Sequence, residues 1–237
     1  MLETLAAALR RHGPVGLVRA AALRVRMLAE RRALPLQERA YDRRRAIATA
    51  GTARLAHGRE TTSYQAVHPR AMHTFLAHLP RDRSPLVFVD YGSGRGRGLF
   101  LAIEHGFGAA VGIELERSHH EAAFHNVRAF RGEGERITLV CGDARDFELP
   151  ADPIVLFLYN PFGREIVEAV LASALEQLRA RPRPAWVVYE TPEHRELLDA
   201  EPAFRLIAER DDARGATPRT PRYAIWRVEV GGGDGTA

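Results

Sequence analysis

The sequence predicts an α/β fold in which a doubly wound, mostly parallel sheet of seven strands has helices on both faces. From Leu86 onward, short apolar runs alternate regularly with longer segments of helical periodicity, which is typical of parallel sheets. Only the polar segment 211–221 separates the last two runs, so they are expected to pair as an antiparallel hairpin. One such domain with an N-terminal extension accounts for all 237 residues.

Residues 61–230 are expected to form this domain. Pro69 opens a predicted helix that ends at Pro80 and leads into the first strand. The seven predicted strands cover residues 86–90, 109–114, 137–141, 153–158, 185–190, 204–209 and 222–230. The glycine-rich tail, residues 231–237, is expected to be disordered.

Residues 1–60 are expected to form a helical N-terminal arm. Apolar residues recur at helical spacing on either side of Gly13 and Pro14, which predicts two helices with a break between them. A second break is predicted at Pro35. The segment 37–50 is compatible with further helix before a polar linker over residues 51–62.

The arm is strongly basic. Residues 1–50 hold eleven arginines and four acidic residues, a net charge of +7, whereas the rest of the chain carries −3. Such an arm can bind nucleic acid, an acidic protein surface or membrane headgroups. The same composition also fits an amphipathic helix packed on the domain with its arginines in water. No apolar run in the arm approaches the roughly 20 residues of a membrane span, so none is expected.

The amino-acid composition excludes several kinds of catalytic and binding site. All 34 basic residues are arginine, which excludes a P-loop lysine and a Schiff-base lysine. The single cysteine, Cys141, cannot form an internal disulfide, and no Cys/His cluster has the spacing of zinc ligands. We therefore expect no metal site and a reducing, cytoplasmic location.

A glycine-rich run follows the first strand and is the most informative segment. Gly92, Gly94 and Gly96 allow a tight turn close to a ligand, and the following helix directs its N-terminal amides at that ligand. A dinucleotide fingerprint requires G-x-G-x-x-G, but arginine or leucine occupies the third glycine position in the two registers, which argues against an NAD-dependent enzyme. The run reads D-x-G-x-G-x-G instead, beginning at Asp90. A glycine-rich turn without a ligand is the alternative.

The pattern resembles the first motif of class I methyltransferases that use S-adenosyl-L-methionine (SAM). The resemblance implies that SAM is the cofactor and that residues from this motif bind it, namely Asp90, Gly92, Ser93, Gly94 and Gly96.

Later strand ends supply other groups that a SAM site needs. Glu114 ends the second strand, where an acid accepts hydrogen bonds from ribose hydroxyls. Asp143 and Ala144 follow the third strand, where the third motif of the resembling family contacts adenine. Tyr64 precedes the domain's first helix, where relatives place an aromatic residue near the methionine end of SAM. Tyr64 could equally be a buried hinge aromatic.

The fourth strand ends in Asn160, Pro161 and Phe162, which resemble the Asn/Asp-Pro-Pro-aromatic motif of amine methyltransferases. One proline of that motif is absent. The resemblance implies that the Asn160 amide and a backbone carbonyl accept hydrogen bonds from the target nitrogen, that Phe162 holds the substrate, and that Asn160 also contacts the cofactor. A simple turn that ends the strand is the alternative.

Over residues 64–230 the chain is similar to small bacterial methyltransferases with DxGSGxGR, GxE, GDA and YNPF segments, and distantly to histone-lysine methyltransferases without a SET domain. The resemblance implies a Rossmann-like methyltransferase fold and methyl transfer from SAM to an unidentified acceptor, such as an amine of a protein or small molecule. The competing hypothesis is a non-catalytic SAM-binding module that docks on nucleic acid through its arginine-rich arm. No general base is assigned.

Overall fold

The computed structural model describes residues 2–53, 64–211 and 221–230. Its helices are α1 (Leu2–Arg45), α2 (Pro69–Leu76), α3 (Arg97–Glu104), α4 (Arg117–Ala129), α5 (Arg164–Ala180) and α6 (Glu196–Asp199). Its strands are β1 (Thr52–Ala53), β2 (Tyr64–Gln65), β3 (Val87–Tyr91), β4 (Ala109–Glu114), β5 (Ile137–Cys141), β6 (Ile154–Tyr159), β7 (Ala185–Glu190), β8 (Phe204–Arg210) and β9 (Tyr223–Val228). The predicted tail and most of the predicted linker lie outside the described residues.

The main sheet has seven strands in the order β5-β4-β3-β6-β7-β9-β8. Strands β3 to β7 pair in parallel, and β9 runs antiparallel to both β7 and β8. The predicted fold is confirmed, with strand ends displaced by one or two residues. The chain lays β3, β4 and β5 toward one edge and then returns to place β6 beside β3. The boundary between β3 and β6 is therefore the switch point at which open α/β sheets bind ligands.

Both faces of the sheet are covered, which explains why its central strands are apolar throughout. On one face, Phe88 and Phe157 belong to a core that includes side chains of α2 and α3. On the other face, Val89 and Leu156 pack with side chains of α5 and α6. The strand ends at the switch point are thus held rigidly from both sides.

The arm differs from its prediction, because α1 is one continuous helix of 44 residues. The predicted breaks at Gly13–Pro14 and at Pro35 are therefore wrong. A proline inside a helix costs about 3 kcal/mol, but the surrounding residues are mostly Ala, Leu, Arg and Glu, which are strong helix formers. The helix ends at Arg45, so the proposed helical continuation over residues 46–50 is also wrong.

Two short features near the domain entrance were not fully predicted. Strands β1 and β2 pair antiparallel, a pairing that was not predicted from the sequence. Helix α2 begins at Pro69 as predicted but ends at Leu76, before Pro80. Its N-cap is His68, whose Nδ1 accepts a hydrogen bond from the amide of Arg70 at 3.1 Å. None of the helices in the described ranges has the length and apolar character required to cross a membrane.

Candidate cofactor and acceptor site

The glycine-rich loop after β3 requires glycine by its backbone geometry. Gly92, Gly94 and Gly96 have φ values of 78°, 55° and 90°, in the left-handed region that other residues adopt only with strain. The amides of Gly92 and Ser93 both donate to the carbonyl of Ile113 in β4, at 2.9 and 3.0 Å. The loop is thus a fixed turn at the switch point.

Glu114 lies at the end of β4 and is 8% exposed. Its Oε2 accepts a hydrogen bond from the amide of Gly94 at 2.8 Å, and its Oε1 accepts one from the amide of Glu116 at 2.8 Å. Burial raises the pKa of this carboxyl, and the two amide bonds partly oppose that effect. Glu114 therefore shapes the glycine loop, a role that the sequence analysis did not identify.

Asp90 lies at the end of β3 and is buried against the first turn of α3. A Cβ atom placed on Gly98 would approach Asp90 Oδ2 to 2.4 Å, so the fourth glycine of the run makes room for this carboxyl. Burial, followed by the charge of Glu114, raises the pKa of Asp90 to about 8. The buried position of Asp90 therefore favours its neutral form.

A small cavity with a volume of about 20 Å³ lies beside the loop. Its walls include residues 65–67 at the end of β2, and also Asp90, Ser93, Arg97 and Tyr159. The side chain of Tyr64 lies outside the described residues, but the residues that follow it line this cavity. This volume is enough for about one water molecule. The loop with its three left-handed glycines lies at the strand ends and the start of α3, where backbone amides can face a nucleoside cofactor.

The turn after β6 contacts the glycine loop directly. A Cβ atom on Gly92 would come within 2.7 Å of Pro161 Cβ and 3.7 Å of the Phe162 ring. Asn160 has a φ of 39°, a left-handed conformation that asparagine tolerates better than most residues. The structure therefore brings the predicted catalytic residues and the predicted cofactor loop together at the switch point.

Glu190 is a further buried acid near this site. The register of β6 and β7 pairs Tyr159 with Glu190, and both side chains lie on the same face of the sheet as Asp90. Glu190 is 1% exposed, and its Oε2 has no hydrogen-bond partner among the described residues. Burial, then the charge of Asp90, raises the pKa of Glu190 well above its usual value. The sequence analysis missed it, although its position at a strand end was a usable signal.

Asp143 already has a partner in the structure. Its carboxylate accepts hydrogen bonds from the Arg145 guanidinium at 2.6 to 3.1 Å and from the Arg145 amide at 2.9 Å. The Arg145 bonds lower the pKa of Asp143. Ala144, its neighbour, is buried. A ligand amine would therefore share Asp143 with Arg145 or displace it.

The arm is joined to the glycine loop through Arg97, the first residue of α3, which is 1% exposed. Its Nε donates to Thr49 Oγ1 at 2.6 Å, and its Nη2 lies 3.2 Å from Asp42 Oδ1. An ion pair with Glu38 spans 3.4 Å. Asp42 Oδ2 accepts from the amides of Thr49 and Ala50, both at 2.6 Å. From the sequence alone, Arg97 was interpreted only as evidence against a dinucleotide-binding site.

Asn126 of α4 adds a second connection between the arm and the loop. Its Oδ1 accepts from the amide of Ala48 at 2.7 Å, and its Nδ2 donates to the carbonyl of Arg95 at 3.0 Å. Arg45 at the end of α1 forms an ion pair with Glu104. The end of the arm is therefore part of the scaffold of the site.

In the described part of the chain, no three His, Cys, Asp or Glu side chains are arranged to hold a metal ion. No protein-family model matches the sequence, and no curated protein matches it.

Solved structures match the fold. The candidate methyltransferase yhhF from Escherichia coli is 16% identical with a TM-score of 0.53, and the match covers 76% of this chain and 100% of that one. Magnesium protoporphyrin IX methyltransferase from Synechocystis PCC 6803, solved with bound SAM, is 14% identical with a TM-score of 0.51, over 68% of this chain and 79% of that one. The fold is therefore the Rossmann-like fold of class I methyltransferases.

Proposed function

We propose that the protein transfers a methyl group from SAM to a nitrogen nucleophile on a protein or small-molecule acceptor. The observation that carries this proposal is the contact of Pro161 and Phe162 with Gly92, between the strand ends where ligands bind in such sheets. The folds of yhhF and the protoporphyrin methyltransferase support it.

The cofactor would lie along the ends of β3, β4 and β5. The glycine loop, with Asp90 beside it, would hold the methionine portion, together with Tyr64. The Glu114 carboxylate would accept hydrogen bonds from the ribose hydroxyls. It would use the lone pairs that are not already bonded to the amides of Gly94 and Glu116. Asp143 and Ala144 would contact the adenine.

SAM, when bound, supplies an electrophilic methyl group on a sulfonium. The acceptor nitrogen would form the new carbon–nitrogen bond as the carbon–sulfur bond breaks toward sulfur, and the nitrogen would then lose a proton. Asn160 would accept a hydrogen bond from that nitrogen and orient its lone pair, while Phe162 would hold the acceptor. Positioning of this kind supplies most of the rate in such a displacement. Asp90 and Glu190 favour their neutral forms, which keeps the buried side of the site uncharged.

Isotope-labelled SAM added to a cell extract with the purified protein tests the proposal. We expect label on a nitrogen of the acceptor, identified by mass spectrometry. Asn160→Ala should lower the transfer by about 10² or more because it removes a group that positions the nucleophile, while leaving SAM affinity within about threefold. Phe124→Ala, on the exposed surface of α4, is the control. SAM binding without any label transfer would favour the non-catalytic binding module.

A further inference from the structure

A row of three polar side chains crosses the sheet beside the candidate site. The register of β6, β7 and β9 places Tyr159, Glu190 and Tyr223 opposite one another, so their side chains lie on the same face of the sheet. Neighbouring strands are about 4.7–4.9 Å apart, which places one tyrosine on each side of Glu190. These three residues form the Tyr–Glu–Tyr row. Tyr159 also lines the small cavity beside the glycine loop, so the row adjoins the proposed cofactor site.

Glu190, the acid at the centre of the row, has a carboxyl oxygen that the protein does not use. The side chain is buried, and its Oε2 has no hydrogen-bond partner in the described part of the chain. Arg97, a buried arginine that lines the same cavity, is already paired with Glu38 and Asp42. Burial and then the charge of Asp90 raise the pKa of Glu190, so its neutral form is favoured until a cation reaches it.

The two strands that carry Tyr159 and Glu190 end in the same way. Each is followed by a left-handed residue other than glycine, Asn160 after β6 (φ 39°) and Thr191 after β7 (φ 53°), and then by proline. A β-branched residue such as threonine is a clear outlier in this region. Strained backbone of this kind clusters at functional sites. Asn160 and Thr191 are also partly exposed, so a ligand can approach the row from the strand ends.

The chemistry of the row fits an ammonium ion. A buried carboxylate is stabilised most by a ligand that brings both a positive charge and N–H donors. Tyrosine rings add to this attraction, because a cation within about 6 Å of a ring centre interacts favourably with the face of the ring. A neutral amide or hydroxyl group would supply a hydrogen bond but not the positive charge.

We propose that Glu190, between the rings of Tyr159 and Tyr223, binds the methyl acceptor as an ammonium ion and accepts the proton that this ion loses before methylation. The substrate class is therefore an aliphatic amine that is protonated in water. Its proton passes from nitrogen to the Glu190 carboxylate, which gives a neutral amine and a carboxylic acid. The nitrogen lone pair then forms the carbon–nitrogen bond as the methyl–sulfur bond breaks, and Glu190 returns its proton to water as the product leaves. This inference rests on the proposed methyl transfer.

Other titratable groups surround the row and contribute to its pH dependence. Because neutral Glu190 must lose a proton before it can hold an ammonium ion, the affinity for such an ion should rise with pH over the range in which Glu190 ionises. The other charged or titratable groups come from four elements packed around the row: Asp90 from β3, Glu38 from α1, His78 after α2 and Arg210 from β8.

Calorimetric titration of the full chain with butylammonium chloride tests the proposal, with butan-1-ol as an uncharged probe of the same size. We expect butylammonium to bind at least about tenfold more tightly than butan-1-ol, with an affinity that rises between pH 6 and pH 8. Glu190→Gln keeps the shape of the side chain and removes its charge. It should lower the butylammonium affinity by at least about tenfold and reduce the rise with pH. Glu176→Gln, at an exposed acid of α5, is the matched control and should change neither.

Absence of butylammonium binding, equal binding of the two probes, or unchanged binding to Glu190→Gln would overturn the proposal. Urea denaturation verifies that Glu190→Gln is folded. A separate titration with SAM distinguishes this failure from a failure of the proposed function. SAM binding without butylammonium binding would overturn the ammonium site alone. Butylammonium binding without SAM binding would contradict methyl transfer, and with it the acceptor role, while the ammonium site itself would stand.

Discussion

Gly92 shows how much of the candidate site depends on one residue that has no side chain. Its left-handed backbone could be predicted, because the spacing of glycines and acids in the run matches a known motif. Its contact with Pro161 could not, since nothing in the sequence reports which distant turn packs on which glycine. Gly98 is similar: the sequence shows a fourth glycine, and only the structure shows that Asp90 occupies the space beside it.

We expect Gly92→Ala to disrupt the site beyond its backbone penalty. A left-handed alanine costs about 1 kcal/mol, and the added Cβ would also lie 2.7 Å from Pro161 Cβ and displace the turn that carries Asn160. Gly106→Ala is the matched control, because Gly106 has a φ of 87° and nothing within 4 Å of its added Cβ. Chemical denaturation and SAM titration compare the two variants. Equal effects would show that the Gly92 contact is unimportant.

Asp90 gives the stability of the unliganded protein a pH dependence. The pKa of Asp90 is raised to about 8 in the folded protein, whereas an unfolded aspartate titrates near pH 4. Between about pH 4 and about pH 8, the folded state therefore binds the additional proton. The free energy of unfolding should fall as the pH rises through this range, by up to about 1.4 kcal/mol per pH unit from this group.

Asp90→Asn removes this titration and should flatten the profile measured by urea denaturation between pH 5 and pH 8. Glu190, whose pKa is also raised, should supply the slope that remains. Asp152→Asn changes an exposed aspartate and should leave the slope as it is in the parent protein. A parent protein whose stability rises over this range would contradict the burial of these acids.

At the scale of elements, the arm and α3 are connected by a buried ionic cluster. Arg97 could be read from the sequence only as an arginine inside a glycine run. Its partners Glu38 and Asp42 lie on α1 and Thr49 lies just after that helix, and the predicted break at Pro35 hid the continuity of α1. The high helix propensity of the arginine, leucine and alanine residues outweighed the cost of each proline. A rule that ends a helix at every proline does not account for this effect.

We expect Arg97→Met to destabilise the protein by about 3–5 kcal/mol, because it leaves the buried Asp42 and the partly buried Glu38 without their cation. SAM affinity should fall as well, since α3 begins directly after Gly96. Combining Arg97→Met with Asp42→Asn should recover part of the loss, as measured by a double-mutant cycle. Arg117→Met, at an exposed pair with Glu121, is the control and should change stability by less than about 1 kcal/mol. Additive effects of Arg97 and Asp42 would mean that the two side chains do not interact.

For the whole molecule, the order of elements and the class of fold were accessible from the sequence because buried parallel strands appear as continuous apolar runs. The places of Asp90, Glu114 and Asn160 followed from a general property of such sheets, in which strand ends share one edge. Glu190 and the β1–β2 hairpin depend on contacts between separate segments. Those contacts arise from packing and register, which periodicity does not encode.

The central claim is that SAM binds at the glycine loop, and calorimetric titration of the full chain tests it most directly. We expect SAM to bind at one site per chain, and NAD not to bind. Gly94→Arg should abolish SAM binding. The backbone of Gly94 is left-handed, and its amide donates a hydrogen bond to Glu114 Oε2 at 2.8 Å. Gly106→Arg, which adds the same side chain in open space, should leave it unchanged. Absence of SAM binding to the parent protein, or full binding to Gly94→Arg, would contradict the claim.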